Sequence, residues 1–600
     1  STTSGGSSGA SVPTSADSVF FTSTATYTVT MTGALTCLDI TVSAGTVTFA
    51  TGTSPSLAVS GSMSLIAGTV WSSTGTITFN AITTGKTITT NGVSISGAVT
   101  LSGVGGSWTL GSAFTSSQSF RVTIGTFSTS ASNYALTADT FINNNSGATI
   151  NLNGSTLTLG NGAAPLSFTA GTTLNAGTSQ INLTGNGGTF AGAGLTFYNV
   201  AFTGTGGGSI TGANTFNTLS FAGRTSAGIS AVTFSANQII STLTLSAGTN
   251  ATMRTFVQSD TLGTTRTLTC AAVSATDIDF RDITIAGAAA PVSGTRLGDC
   301  KGNSGITFDA AKTVYWNLVG GGNYASANGW AATSGGSPAF NDFPLAQDTA
   351  IVQSTGLNNG DTITINANYN IGTIDMSART ANTMTLATGT TTPAIYGDWI
   401  NGTGTTLTGT GTLTFAGRGS QTITSAGQTF TQSIDVNSLS GTVTLLDALS
   451  NANTSSTFTL SAGSIDAATY NFTFGQFVSN VSTTRTIGIN SGTWTLSGSG
   501  TIWNTIATNL TVTGTGTISL TSASAKTFAG GGIAYTNITL NQGGAGALTI
   551  SDNNTFKNIT NSYSATGATS ILFTSGTTQT VSQFTGTGAF ANLLTLNSST

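Results

Sequence analysis

The run Gly45-Thr46-Val47-Thr48-Phe49 returns as Gly75-Thr76-Ile77-Thr78-Phe79, and the same form stands at Gly411–Phe415 (GTLTF) and Gly441–Leu445 (GTVTL), each pair 30 residues apart. In every copy apolar residues alternate with threonine, so an extended backbone sends Val, Ile, Leu or Phe to one face and Thr to the other. Threonine, polar and β-branched, suits the solvated face of a strand. The leading glycine accepts the positive φ that a sharp corner demands. Related runs occur at Thr156–Leu159 and Thr517–Leu520, with Gly, Asn and Ser between them. Strands of four or five residues joined by tight corners over so long a chain predict an all-β fold, a β-solenoid of the right-handed parallel β-helix type.

Tandem antiparallel β-sandwiches are the alternative, since they too need many short strands. Against them stand sparse charge, only 7 prolines and a repeat unit far longer than a sandwich domain. At roughly 20–25 residues per coil and about 4.8 Å between coils, one continuous stack would make a rod on the order of 120–140 Å long.

Composition agrees with a strand-built chain. Of 600 residues only 5% are charged, against about 25% in an ordinary soluble domain. The chain contains no His, all of its 18 acidic residues are Asp, and Gly occupies 79 positions, which leaves long helices without their usual formers. A hydrophobic content of 38% with so little charge is the opposite of a disordered composition. The net charge of −4 offers no clustered cations for phosphates, so no nucleic acid partner is expected. Mean hydropathy is +0.20, yet no apolar run approaches the roughly 20 residues of a spanning helix, and no membrane span is expected. The opening Ser1-Thr2-Thr3 carries neither a basic nor an apolar leader, so no signal peptide is read there.

The chain repeats itself at a longer period. Ser4-Gly5-Gly6, Pro13 and Asp17 match Ser334-Gly335-Gly336, Pro344 and Asp348; Thr28-Val29-Thr30 and Asp39 match Thr362-Ile363-Thr364 and Asp375. TFAGAGLTFYNV (189–200) returns as TFAGGGIAYTNI (527–538), and Asn214-Thr215-Phe216 as Asn554-Thr555-Phe556. The drift in offset from 330 to 340 is what a few loop insertions produce. Residues 254–312 hold 12 of the 32 charged residues. The expected organisation is a first solenoid unit over 1–253, a charged cap or inter-unit joint over 254–315, and a second unit over 316–600, truncated relative to the first. Exposed coil ends are strand edges and call for such a cap.

Chemistry is bounded by what is missing. Without His there is no Ser-His-Asp or Cys-His system and no imidazole zinc site. No C-x-x-C and no calcium-binding nonapeptide occurs, and Asn80–Thr87 departs from the phosphate-loop pattern at its first position. No catalytic residue, cofactor or metal is therefore assigned. The exception to weigh is Asp277, Asp279, Arg281 and Asp282, because carboxylates near a cation can cleave polysaccharides; a salt-bridged joint is the favoured reading. On a strand, Asp277 and Asp279 would share a face with Arg281. Cys37, Cys270 and Cys300 cannot all pair; Cys270 and Cys300 could bridge the segment between them, with buried free thiols preferred. The seven tryptophans are expected in packing positions. Trp108 and Trp494 sit in matching strands, and Trp316 and Trp330 bracket a Gly-rich lead-in that would anchor the second unit. Asn-x-Ser/Thr triplets such as those at Asn153, Asn182, Asn471 and Asn537 are abundant by composition alone.

The sequence Trp316, a Gly-rich turn, Trp330, then Ser-Gly-Gly and Pro-x-x-x-Asp, followed by strands of the GTWTLSGSGTIWN and KTFAGGG type, resembles repeat units of uncharacterised β-solenoid surface and fibre proteins of environmental bacteria and tailed phages. The resemblance covers nearly the whole chain and implies a non-enzymatic structural fibre, extracellular, on a virion surface as a tail or head fibre or on a bacterial cell surface as a filament or adhesin. It implies self-association or further copies of the same unit as partners, with a cell-surface glycan or receptor as a ligand. A glycan depolymerase and an ice-binding solenoid with Thr arrays are the lesser alternatives.

Overall fold

The computed structural model describes residues 12–599 except 54, 161, 247, 564–567, 587 and 589–591. The Ser4-Gly5-Gly6 half of the repeat match lies outside the described residues. The chain is all-β, with parallel stacked strands coiling into a solenoid of about 26 turns in all. Among the described residues the one helical element is a single 3-10 turn at Phe340–Asp342.

Parallel pairing excludes the sandwich alternative. One inward ladder runs Leu35, Leu57, Ile77, Val99, Phe120, Phe141, Leu166, Phe190, Ile210 and Phe234, each residue beside the next on the adjoining rung. An outward ladder runs Thr158, Asn182, Ala201, Ser220, Thr244 and Ser274. Like side chains thus stack along the axis, but the outer face mixes Thr with Asn, Ala and Ser and is no regular Thr array.

Two details of the sequence reading change. The 30-residue return of the quoted run is not one coil: Phe49 lies beside Trp71, 22 residues on, whereas Thr76–Phe79 pairs with Ser56–Val59 in a different sheet. The Gly-Thr-apolar-Thr-apolar form marks any strand leaving a corner, whichever face it enters. The match of Asp39 to Asp375 is also displaced. Val19 pairs with Ile40 and Ala350 with Ile374, so the structural counterpart of Asp39 in the second stack is Thr373. Both do the same work: Asp39 accepts the Ser62 backbone N–H and the Thr373 hydroxyl accepts that of Asp398.

Two faces merge where a strand runs on without a corner, at Val99–Leu110 in the first stack and Ser433–Leu445 in the second. Each is paired to the next rung with a register shift. Gly463 makes the second shift possible, with φ of +82° and no room for a Cβ against the Ser438 carbonyl. Gly463→Val is expected to destabilise the second stack by about 1–3 kcal/mol, read as a lower urea midpoint.

The stack does not continue as one rod. Residues 254–315 divide: Met253–Ser259 and Ile278–Arg281 add rungs to the first stack, while Thr313–Trp316 opens a second by pairing with Thr349–Ile351 and, antiparallel, with Trp330–Ala331. Two separate cores result, one ending near Leu297 and one dominated by residues beyond Val314. Five successive rungs of the second stack present Gln347, Asn370, Tyr396, Arg418 and Leu439 to the last rungs of the first. Three of those five, Gln347, Tyr396 and Arg418, meet Asp299, Cys300 and Gly302 in order along a single strand and its corner. The axis of one stack therefore follows the strand direction of the other. The molecule has two arms set crosswise, in place of the straight rod.

Candidate functional site: the charged joint

Where the arms meet, the outward face of the first solenoid is buried, and the chain's clustered charge is found there. Ile278 and Phe280 face the first core, so their alternates Asp279 and Arg281 point outward, toward the second arm. Asp277 stands just before this strand with φ of +59°, and the Arg254 guanidinium reaches both it and Asp279.

Each carboxylate is held by an arginine. Asp279, 1% exposed, accepts from Arg254 Nε and Nη2 at 3.0 and 2.5 Å and from the Asn370 amide of the second arm at 3.0 Å. Asp277 takes Arg296 on both oxygens at 2.5 and 2.8 Å, with Arg254 at 3.6 Å. Asp282, fully buried and at φ of +58°, receives Arg418 from 136 residues away at 2.6 Å and the Gly263 backbone N–H at 3.0 Å. Arg281 donates to Gln258 at 2.5 Å and lies over the Phe256 ring.

Around the charges, Arg296 also reaches Asn341, Gln347 reaches Leu297, and the Tyr369 hydroxyl donates to the Thr252 carbonyl. A small apolar patch of Cys300, Ala346, Tyr396 and Ala416 closes the contact. Burial would pull the Arg254 guanidinium down, but Asp279 and Asp277 beside it hold it above its usual range. Breaking such a buried pair is costly because the remaining charge has no water to turn to.

This arrangement fastens one arm to the other through Asp279–Asn370 and Asp282–Arg418. The three carboxylates are at most 1% exposed, and two of them, Asp279 and Asp282, are bonded directly from the second arm. Cys37, Cys270 and Cys300 are free and buried, the preferred reading of the sequence, and Cys270 and Cys300 form no bridge. Burial pushes Cys37 up to about 11 and Cys270 up to about 12, leaving thiols without thiolate character. All seven tryptophans are buried; Trp108 and Trp494 belong to different faces, in the strands Val99–Leu110 and Thr493–Leu496. Among the described residues no group of three metal-ligating side chains occurs, and no helix is long and apolar enough to cross a membrane.

Of the joint residues, Asp277, Asp279, Arg281 and Asp282 were visible as a cluster. Arg254 and Arg296 shared the charged stretch, and no local signal in the sequence marked Arg418, Asn370 or Tyr396. Trp316 and Trp330 meet edge to face at 5.2 Å and close the start of the second arm.

Elsewhere, buried cations hold corner carbonyls instead of acids. Arg379 donates to the carbonyls of Gln353, Leu357 and Thr383. Lys526 donates to those of Ser522 and Gly546 at 2.9 and 2.8 Å, and burial pushes its amine down from 10.5 to about 8. Between those values the unfolded chain holds the proton and the folded chain does not, so this residue makes stability rise with pH from about 8 to 10.5. Lys526→Met is expected to remove that rise, read as the difference between variant and parent in denaturation midpoint at pH 7.5 and pH 10.

No protein-family model matches the chain, and neither a curated protein nor a solved structure does.

Proposed function

We propose that this protein is a non-enzymatic structural unit of an extracellular fibre, carried on a virion as a tail or head fibre, where it serves as a rigid, angled spacer. The observation that carries this reading is the division of labour between backbone and side chains. Main-chain pairing builds about 26 turns, and the clustered charges that a catalytic reading would require are paired with one another in the buried joint, where Arg418–Asp282 ties one arm to the other. Backbone ladders of this kind resist unfolding and proteolysis without help from surface ion pairs. The resemblance to fibre repeats points the same way, with further copies of the unit as partners and a surface glycan or receptor at the fibre's far end.

Antibody against the chain, applied to phage particles and to intact cells for electron microscopy, tests the proposal. Label on thin virion appendages supports it. Label along the cell envelope transfers the role to a bacterial filament, and label confined to the cytosol overturns both. Release of reducing ends from bacterial polysaccharides by the purified chain would overturn the non-enzymatic part.

A further inference from the structure

One corner in the middle of each arm is built on the same plan but finished differently. In the first arm the corner runs from Ser128 to Leu136. Their partners on the preceding rung, Thr109 and Phe114, correspond to Thr444 and Leu449, which makes Asp466 and Phe472 the counterparts in the second arm. The local bonding is shared. Two residues on, a backbone N–H returns to the side chain, Ser130 to Ser128 Oγ at 3.1 Å and Ala468 to Asp466 Oδ1 at 2.8 Å. On the next rung an asparagine in left-handed backbone, Asn153 at φ of +50° or Asn490 at +52°, donates its amide to that same side chain.

Two differences change what the corner offers. Eight residues separate Ser128 from Leu136, whereas six separate Asp466 from Phe472. The longer corner lays Asn133 across the next rung, where its Oδ1 accepts the Gly154 N–H at 2.8 Å. The shorter one borders an open groove of about 490 Å³, lined by Asp466, Ala468, Thr469, Asn490, Ser491 and Thr515. The second difference is the exchange of a hydroxyl for a carboxylate. Both bonds that Asp466 receives end on Oδ1, which leaves its Oδ2 and the Asn490 Oδ1 for an incoming donor. Thr469, Ser491 and Thr515 are exposed along the rim, and Tyr470, next to Thr469, is 38% exposed.

We propose that this groove, on the flank of the second arm, binds a neutral sugar residue of a glycan. Its volume lies within the roughly 300–1,000 Å³ of small-ligand sites. The Asp466 carboxylate and the Asn490 amide, held together by their own bond, accept from neighbouring hydroxyls of one pyranose ring, and the rim hydroxyls both donate and accept. Tyr470 adds an aromatic face for the ring's C–H side. No cation lines the groove, so an anionic ligand lacks a partner, and one carboxylate falls short of the oxygen set that a divalent metal takes. The inference rests on the fibre reading for the glycan's being a surface polymer, and on the groove alone for sugar binding.

Saturation-transfer NMR on the full chain, with the methyl glycosides of glucose, galactose, mannose and N-acetylglucosamine as probes, tests the site. At least one glycoside is expected to receive saturation from the parent protein. Asp466→Ser installs the arrangement with which the first arm already folds, and is expected to weaken that binding by about tenfold or more through loss of a charged acceptor. Ser491→Trp, on the exposed rim, is expected to fill the groove and abolish the signal with the far-UV circular dichroism spectrum unchanged. No transfer from the parent to any of the four glycosides, or transfer that either variant leaves undiminished, overturns the site. Neither result alters which particle the antibody labels, so failure of the groove and failure of the fibre reading are told apart.

Discussion

Replacing Asp279 with alanine is expected to release the two arms from one another while both solenoids stay folded. Arg254 is almost fully buried and donates its shortest bond, at 2.5 Å, and a second at 3.0 Å to this one carboxylate, with the Arg296 carbonyl as a further acceptor; its other acid, Asp277, is already taken by Arg296. The substitution leaves a buried guanidinium short of a partner and strips the Asn370 amide of its acceptor. Losing one member of a buried pair costs about 3–5 kcal/mol, and a contact of a few side-chain clusters has little reserve to absorb it. The cost falls on the joint, because each rung is held by its neighbours' backbones. Small-angle scattering should show an altered radius, with faster amide exchange at Thr255–Gln258 and Asn370–Ile371 and an unchanged far-UV circular dichroism spectrum. The paired change Arg254→Met with Asp279→Leu should restore most of the closed form, since an apolar pair of similar volume needs no partner. An unaltered radius and unaltered exchange in Asp279→Ala would place the fastening elsewhere.

The second large effect is expected in the core of the second arm. Phe458, Phe477, Trp503 and Phe528 occupy one inward ladder on four successive rungs. Their rings are nearly parallel, with interplanar angles of 12–24° and centroids 4.6–6.0 Å apart. Trp503 also donates its indole N–H to the Tyr535 hydroxyl at 3.0 Å. Trp503→Ala removes the largest member from the middle of this stack and opens a void that flanking strands, fixed at ladder spacing, cannot close. About 3–5 kcal/mol of local stability should be lost. In a quasi-one-dimensional fold the loss stays near its source, so exchange should accelerate around Phe477 and Phe528 and remain unchanged at Phe141 or Phe190 in the first arm. A uniform acceleration through both arms would contradict two independent cores.

Much of this was legible in the residue order. Alternating Thr and apolar runs between glycines lead to a parallel ladder because period-two alternation leaves one choice of inner face per strand. The tandem repeat was equally plain, since matched corners need matched Gly, Asn and Pro. Coil length was not legible: a run such as Gly45–Phe49 carries no mark of the face it will occupy, and corner insertions vary the spacing between equivalent positions. The crosswise joint was hidden for a different reason. Its contacts link Asp282 to Arg418 and Asp279 to Asn370, and nothing local to Arg418 or Asn370 distinguishes them from solvent-facing corner residues. The cluster Asp277, Asp279, Arg281 and Asp282 gave away only that residues near 280 live in unusual surroundings. Left-handed backbone at Asp277 and Asp282, which aims two of these acids, has no signature beyond a tolerance of Asp for that region.

The crosswise setting of the arms bears on any assembly built from them. Units linked end to end through such an elbow change heading at every junction, so a chain of them winds like a corkscrew and its span grows with the pitch of that winding. A pull on its ends would first tilt the elbows open, and only afterwards load the ladders, giving a filament with a soft initial stretch and a stiff limit.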